Sequence, residues 1–177
     1  PLTISIFIKR DSLMKLAVTA DRIITGTDEN TVVRDWTIII EDNRIDRITT
    51  DSNLSDGSID ESFELDGHSL LPGIIDSHTH ITYPGGDPNK QADLVRNTPS
   101  ERTVRALEYS RDTVNAGITT IRDYGSPTDI ALTVRDAIED GEFTGPRISA
   151  AGEGITITGG HGDWVPWHVK RFLNVDG

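Results

Sequence analysis

The chain has no cysteine among its 177 residues. Disulfides and cysteine-ligated zinc are therefore excluded, and any metal must be held by histidine, carboxylate or modified side chains. No segment approaches the roughly 18 consecutive apolar residues of a membrane-spanning helix. The formal net charge of −12 argues against a nucleic-acid partner, because phosphate contacts need a basic surface. We therefore expect a cytoplasmic protein that binds neither nucleic acid nor membrane.

Lysine is also scarce, whereas carboxylates are abundant. The sequence carries 29 Asp and Glu residues against 17 Lys and Arg residues, and Arg outnumbers Lys. A surface of this composition suits a high-salt cytoplasm, in which repulsion between carboxylates is screened. We treat adaptation to high salt as a hypothesis.

Short segments rich in Ile, Val and Thr follow Met14, the only methionine of the chain. We interpret Met14 as the natural start and residues 1–13 as upstream or artificially added sequence, although an extra strand is the competing interpretation. Residues 14–68 predict strands and turns, and Asp42-Asn43 predicts a two-residue hairpin. This part of the sequence indicates a small β-domain without chemistry of its own.

Residues 69–177 alternate between strand and helix patterns. The segment "TPSERTVRALEYSRDTVNAG" predicts a helix that is capped by Thr98, with Glu101 three residues later, and that ends at Gly117. The segment "SPTDIALTVRDAIEDG" repeats this pattern and predicts a helix from Ser126 to Gly141. The segments "ITTIRDYG" and "PRISAAGEG" predict strands. The alternation predicts an α/β fold with a parallel sheet, whose chemistry gathers at the carboxyl ends of the strands.

One such strand end carries two histidines. In "LPGIIDSHTHI", an apolar run predicts a buried strand, and strand alternation places Asp76, His78 and His80 on one face. Two imidazoles on the same side of a rigid strand can share one zinc ion. The alternative is that both rings make ordinary hydrogen bonds at a strand end.

Three segments in order, "PGIIDSHTHI", "AGITTIRDYG" and "GPRISAAGEGITITGGHGD", resemble the metal-dependent amidohydrolase superfamily. The resemblance is to its imidazolonepropionase-like and Xaa-Pro dipeptidase-like branch. It implies a (β/α)8 TIM barrel flanked by a small β-sandwich that is built from both chain ends. Residues 14–68 would form the N-terminal part of the sandwich. Residues 69–177 would form the first three βα units of the barrel, which is incomplete because a whole barrel needs about 250 residues.

The resemblance also implies the site. His78 and His80 would bind a divalent metal, with zinc preferred and one or two ions in the full-length protein. The remaining ligands and the general acid–base group are expected beyond residue 177. His161 could contact substrate or a metal-bound group, or only make a loop hydrogen bond. Asp123 could act in the site or serve as a structural acceptor, and Asp76 could orient an imidazole.

The resemblance implies a hydrolase that cleaves carbon–nitrogen bonds in a small amide or dipeptide by means of a metal-activated water. A non-catalytic barrel that binds a small ligand is one alternative, and an inactive fragment of a longer amidohydrolase is another. We expect the 177-residue chain alone to be inactive, and we leave homo-oligomerisation open.

Overall fold

A computed structural model describes residues 14–27, 31–42, 44–50, 59–83, 85 and 96–163. The chain divides into two compact units, and the division falls between Gly73 and Ile74. The sequence-based boundary between residues 68 and 69 lies five residues earlier, inside a strand. Residues 1–13, for which an upstream segment is expected, lie outside the described residues.

The N-terminal unit contains one four-stranded sheet. Its strands are β1 (Lys15–Ile24), β2 (Val32–Glu41), β3 (Arg44–Thr49) and β4 (Glu61–Leu70), in the spatial order β3-β2-β1-β4. β2 is antiparallel to β1 and β3, whereas β4 is parallel to β1. Glu41 pairs with Arg44 across the turn, and Asp42 has a φ of 49°, as a two-residue hairpin requires. The predicted hairpin is confirmed.

A turn that the sequence predicts at Asp66-Gly67 is a bulge in the structure. β4 continues through both residues, and its pairing with β1 shifts register between Ala20 and Arg22. Gly67 has a φ of 74°, and its N–H donates to the Asp21 carboxylate at 3.1 Å. β4 advances four residues, from Leu65 to Ser69, while β1 advances two, and such extra residues bend a strand without ending it. The Asp-Gly pair therefore does not reverse the chain.

The C-terminal unit alternates strands and helices. It contains β5 (Ile74–Thr79), α1 (Pro99–Asn115), β6 (Ile118–Asp123), α2 (Ile130–Glu139) and β7 (Arg147–Ala150). The strands are parallel in the order β5-β6-β7, so the predicted α/β alternation is confirmed. None of the helices in the described residues is long and apolar enough to cross a membrane.

The start of α1 follows the predicted capping box. The Thr98 hydroxyl accepts a hydrogen bond from the Glu101 N–H at 3.3 Å, and the Glu101 carboxylate accepts one from the Thr98 N–H at 2.8 Å. The helix ends at Asn115, and Gly117 has a φ of 90°. These contacts satisfy backbone N–H groups that have no partner within the helix.

The buried face of α1 differs from the apolar stripe that the sequence suggests. The spacing of Val104, Leu107 and Val114 favours that stripe, but Val104 is 68% exposed. The buried positions are Arg102, Ala106, Ser110 and Val114. Ala106 and Ser110 are small, so the helix can pack closely against its neighbours, and the Ser110 hydroxyl donates to the Ala106 carbonyl at 2.8 Å. The buried face of this helix is therefore a mixture of small side chains and the larger Arg102 and Val114.

The predicted start of α2 at Ser126 is wrong. The helix begins at Ile130 with Asp129 as its N-cap, and Asp129 makes no side-chain capping bond. The Ser126 hydroxyl donates instead to the Asp123 carboxylate at 2.8 Å, and Thr128 has a φ of 59°. Ser126 is therefore held by the preceding strand end and is not available as a cap. The helix ends before Gly141, as predicted.

The prediction that the apolar run before the histidines is a buried strand is also wrong in this chain. Leu70 ends β4, and Ile74 and Ile75 of β5 are 50% and 69% exposed. Within the described ranges β5 pairs only with β6, which leaves one of its edges and part of its surface uncovered. The core of this unit lies instead among Ile81, Ala106, Ile121, Ile130, Ala131, Val134 and Ile148.

Candidate metal site

The carboxyl ends of β5 and β6 bring two turns together. Thr79 pairs with Asp123 in register, and the Tyr124 N–H donates to the Thr79 carbonyl at 2.9 Å. Residues 80–83 therefore lie beside residues 124–126, although more than 40 residues of chain separate them. In parallel sheets this edge is where functional side chains collect.

His78 lies in β5 and His80 directly follows its end, and the two rings lie side by side, as strand alternation favours. Their ring centroids are 5.5 Å apart, with an angle of 70° between the ring planes. Two imidazoles that share one tetrahedral zinc at roughly 2.0–2.1 Å have centroids about 5 Å apart. The pair is therefore spaced as two ligands of one ion, and both residues are exposed to solvent.

The His80 ring is oriented by a carbonyl of the neighbouring turn. Its Nδ1 lies 2.7 Å from the Gly125 carbonyl oxygen. A carbonyl can only accept, so this contact assigns a proton to Nδ1 and directs Nε2 away from the Gly125 carbonyl. Metal-bound histidines commonly make this kind of second contact, which sets the ring orientation and the tautomer. Sequence reasoning missed this role of Gly125. Its φ of 142° is a backbone conformation that glycine adopts readily and other residues rarely do.

The His78 ring is stacked on an aromatic side chain. The Tyr124 ring centroid is 4.6 Å from that of His78, and the planes differ by 22°. The Arg122 guanidinium lies 4.5 Å from the Tyr124 ring centroid, within the range of a cation–π contact. Sequence reasoning missed Tyr124 as well, because its contact with His78 depends on the pairing of two distant strands.

Asp76 contacts the backbone of the histidine motif. Its carboxylate accepts a hydrogen bond from the His78 N–H at 3.1 Å. This contact is with the main chain and not with an imidazole. The role of Asp76 in orienting an imidazole stays a prediction.

Asp123 is fully buried and holds the two turns together. One carboxylate oxygen accepts from the Ile81 N–H at 2.7 Å and from the Ser126 hydroxyl at 2.8 Å. The other oxygen accepts from the Gly125 N–H at 3.1 Å. The Thr82 hydroxyl extends this buried network by donating to the Ser126 hydroxyl at 3.3 Å. Three hydrogen bonds within the protein agree with the structural-acceptor interpretation of Asp123.

His161 lies in an exposed turn beyond β7. Across the described ranges, no group of three or more His, Asp or Glu side chains is placed to hold a metal. The structure thus brings His78 and His80 together without placing His161 in a metal-holding group with them. The assigned role of His161 stays a prediction.

A cavity of about 350 Å³ lies between the end of β5 and α1. His80, Tyr83, Tyr109 and Asp112 are among its lining residues. Burial raises the pKa of the Tyr83 hydroxyl; the Arg102 charge acts in the opposite direction, and the Asp123 charge adds to the rise. Tyr83 therefore lines the cavity as a neutral hydroxyl at physiological pH. The cavity volume is at the lower end of the range for small-molecule sites.

The order of motifs, the α/β fold and the paired histidines are those expected of the amidohydrolase resemblance. Residues 69–172 match the amidohydrolase family. This match covers more than half of the chain, and the protein belongs to that family.

Individual relatives give a narrower comparison. A 5-methylthioadenosine/S-adenosylhomocysteine deaminase of Bacillus thuringiensis (strain Al Hakam) is 31% identical over 68 residues, which are 38% of this chain and 16% of the relative. A crystal structure of a Xaa-Pro dipeptidase with bound methionine in the active site matches with a TM-score of 0.72 and 30% identity, over 84% of this chain and 36% of that chain.

A. niger ochratoxinase has a TM-score of 0.71 and 21% identity, over 91% of this chain and 37% of that chain, and this likeness concerns the fold. The chain thus spans 16% of the curated deaminase and about a third of the two solved structures.

Proposed function

We propose that the full-length gene product is a metal-dependent hydrolase that cleaves a carbon–nitrogen bond in a small amide or dipeptide. Membership of the amidohydrolase family supports the reaction class. The likeness to a Xaa-Pro dipeptidase favours a dipeptide or related amide as substrate. We further propose that β5, β6 and β7 are the first three strands of a (β/α)8 barrel, and that the N-terminal sheet belongs to a small β-sandwich.

His78 and His80 would hold a divalent metal, with zinc preferred. The observation that carries this proposal is the pair of same-side rings with centroids 5.5 Å apart. When bound, such an ion polarises a substrate carbonyl and activates water for attack on it. The other ligands and the acid–base group would come from parts of the protein beyond the described residues.

The contacts around the histidines support their use as ligands. Donation from Nδ1 of His80 to the Gly125 carbonyl leaves Nε2 as the coordinating atom. Asp123 fixes the Ile81 and Gly125 N–H groups and so maintains the turns on both sides of that contact. His161 is proposed to act on the substrate side of the site, in keeping with its place in a loop after a strand.

The proposal is tested by substituting histidines in the full-length gene product. His78→Ala and His80→Ala should each lower the bound metal and remove most hydrolytic activity, because each deletes a ligand. His161→Ala should impair turnover but leave the bound metal largely intact. His68→Ala is a matched control, because His68 is exposed on β4 and its Nδ1 lies 2.7 Å from the Asp66 carbonyl, away from the two candidate ligands.

Metal content would be measured by elemental analysis. Turnover would be measured with dipeptides and N-acyl amino acids as substrates. Unchanged metal and activity in both His78→Ala and His80→Ala would contradict the proposed site.

A further inference from the structure

Both histidines of the candidate site contact the same turn, which lies outside the histidine motif. Gly125 contacts His80 through its carbonyl, and the preceding residue, Tyr124, stacks on His78. The turn after β6 therefore reaches the two rings through two different kinds of contact. The His80 contact fixes one ring by a hydrogen bond, whereas within the described residues no hydrogen bond holds the ring of His78.

The surroundings of His78 make the stacking contact important. His78 is exposed at the end of β5, so packing against a core does not select its rotamer. Holding a free side chain in one orientation costs conformational entropy, and a contact must offset that cost. Aromatic rings with centroids 4.6 Å apart lie within the range in which ring pairs attract each other beyond the burial of area. The stacked Tyr124 ring, which is nearer to the imidazole than the His80 ring is, can therefore restrict it.

Tyr124 is itself held in place from two directions. The Arg122 guanidinium lies 4.5 Å from its ring centroid, and the Tyr124 N–H is bonded to the Thr79 carbonyl of β5. Its own exposure is 47%, so core packing does not explain why a large aromatic residue is placed here. The ring instead covers the imidazole of the first histidine.

We propose that Tyr124 is a positioning residue that holds the His78 imidazole beside His80 for metal binding. This inference rests on the proposed function, because it assumes that His78 is a metal ligand. The aromatic face of Tyr124 performs the positioning, and the hydroxyl is not needed. Loss of a side chain that orients a ligand typically weakens metal binding by about 10- to 100-fold.

The test compares Tyr124→Phe, Tyr124→Ala and the wild type in the full-length gene product. Tyr124→Ala should weaken zinc affinity by about 10-fold, as measured by competition with a chromogenic chelator. Tyr124→Phe should keep the wild-type affinity because it retains the ring. In the cobalt-substituted proteins, the visible absorption bands should shift for Tyr124→Ala and match the wild type for Tyr124→Phe. A purely structural role would not produce this spectral difference.

Phe143→Ala is the matched control. Phe143 is also an aromatic residue of the C-terminal unit, it is 48% exposed, and it follows α2 in the chain. Its removal should leave zinc affinity and the cobalt spectrum unchanged. Circular dichroism and thermal unfolding of every variant would identify a general loss of structure.

The results distinguish the positioning role of Tyr124 from the metal site on which it depends. If wild type binds zinc through His78 and His80 but Tyr124→Ala binds it equally well, the positioning role is wrong and the metal site stands. If Tyr124→Phe is as impaired as Tyr124→Ala, stacking is not the cause and the inference is also overturned. A wild-type protein that binds no zinc would overturn both proposals.

Discussion

At the scale of single residues, the Asp123 carboxylate joins the two turns of the candidate site by hydrogen bonds. It is fully buried and is the acceptor for two backbone N–H groups, those of Ile81 and Gly125. These groups lie on the two turns that carry His80 and its carbonyl partner. A buried N–H that loses its acceptor costs about 1–3 kcal/mol.

We predict that Asp123→Ala lowers the free energy of unfolding by about 2–5 kcal/mol, since it leaves both N–H groups without their acceptor. Asp123→Asn should cost less, because the amide oxygen can still accept from one of them. The free energies would be measured by urea unfolding followed by circular dichroism.

Asp129→Ala is the comparison for that series. Asp129 is exposed and makes no side-chain capping bond, so its removal should change stability by less than about 0.5 kcal/mol. Equal losses for Asp123→Ala and Asp129→Ala would show that the buried network does not stabilise the two turns.

At the scale of elements, α1 begins with a reciprocal capping box. The Thr98 hydroxyl and the Glu101 carboxylate each accept a backbone N–H, and the hydroxyl also donates to the carboxylate at 2.9 Å. Hydrogen bonds from the Thr98 N–H and hydroxyl lower the pKa of Glu101 below its ordinary value of 4.5. A carboxyl with a lowered pKa stabilises the fold above its ordinary pKa. That contribution is lost as the pH falls through the lowered pKa of the folded state.

We predict that Thr98→Ala lowers the free energy of unfolding by about 1 kcal/mol at pH 7. The difference between wild type and Thr98→Ala should shrink as the pH falls below about 4.5. Thr103→Ala, on the same helix, is the control, because the Thr103 hydroxyl donates to the Pro99 carbonyl at 2.9 Å and takes no part in the capping box. Parallel pH profiles for wild type and Thr98→Ala would contradict the prediction.

The elements also show which parts of the structure can be predicted from sequence. The α1 capping box, the Asp42 hairpin and the glycine that follows each helix depend on residues close in the chain, and they are confirmed. The predicted start of α2 is wrong because the Ser126 hydroxyl donates to the buried Asp123 carboxylate and does not cap the helix.

The candidate site also contains a part that the sequence predicts and a part that depends on strand pairing. Strand alternation favours neighbouring rings for His78 and His80, and their ring centroids are 5.5 Å apart although His80 lies just beyond the end of β5. Tyr124 and Gly125 could not be predicted as their partners, because those contacts need the parallel pairing of β5 with β6. Residues that are distant in sequence became neighbours only when the sheet formed. The metal-binding role of the histidines stays a prediction.

At the scale of the whole molecule, charge is the dominant feature. Carboxylates exceed basic side chains by 12, and the described ion pairs are mostly between exposed groups. Exposed pairs contribute about 0–1 kcal/mol each, so they offset little of the mutual repulsion. Salt screens both the attraction within ion pairs and the repulsion between carboxylates. Because negative charge is in excess, the repulsion is the larger of the two energies.

We predict that the protein becomes more stable as salt rises, because the Debye length falls from about 10 Å at 0.1 M to about 3 Å at 1 M. The midpoint of thermal unfolding should increase by several degrees between roughly 0.1 M and 1 M KCl, with most of the change at the low end, where screening changes fastest. Because excluded solutes also favour compact states, a sorbitol series of equal osmolality separates the two causes. A gain in KCl that exceeds the gain in sorbitol would support relief of carboxylate repulsion. A flat response to KCl, or equal gains in both series, would contradict the high-salt hypothesis.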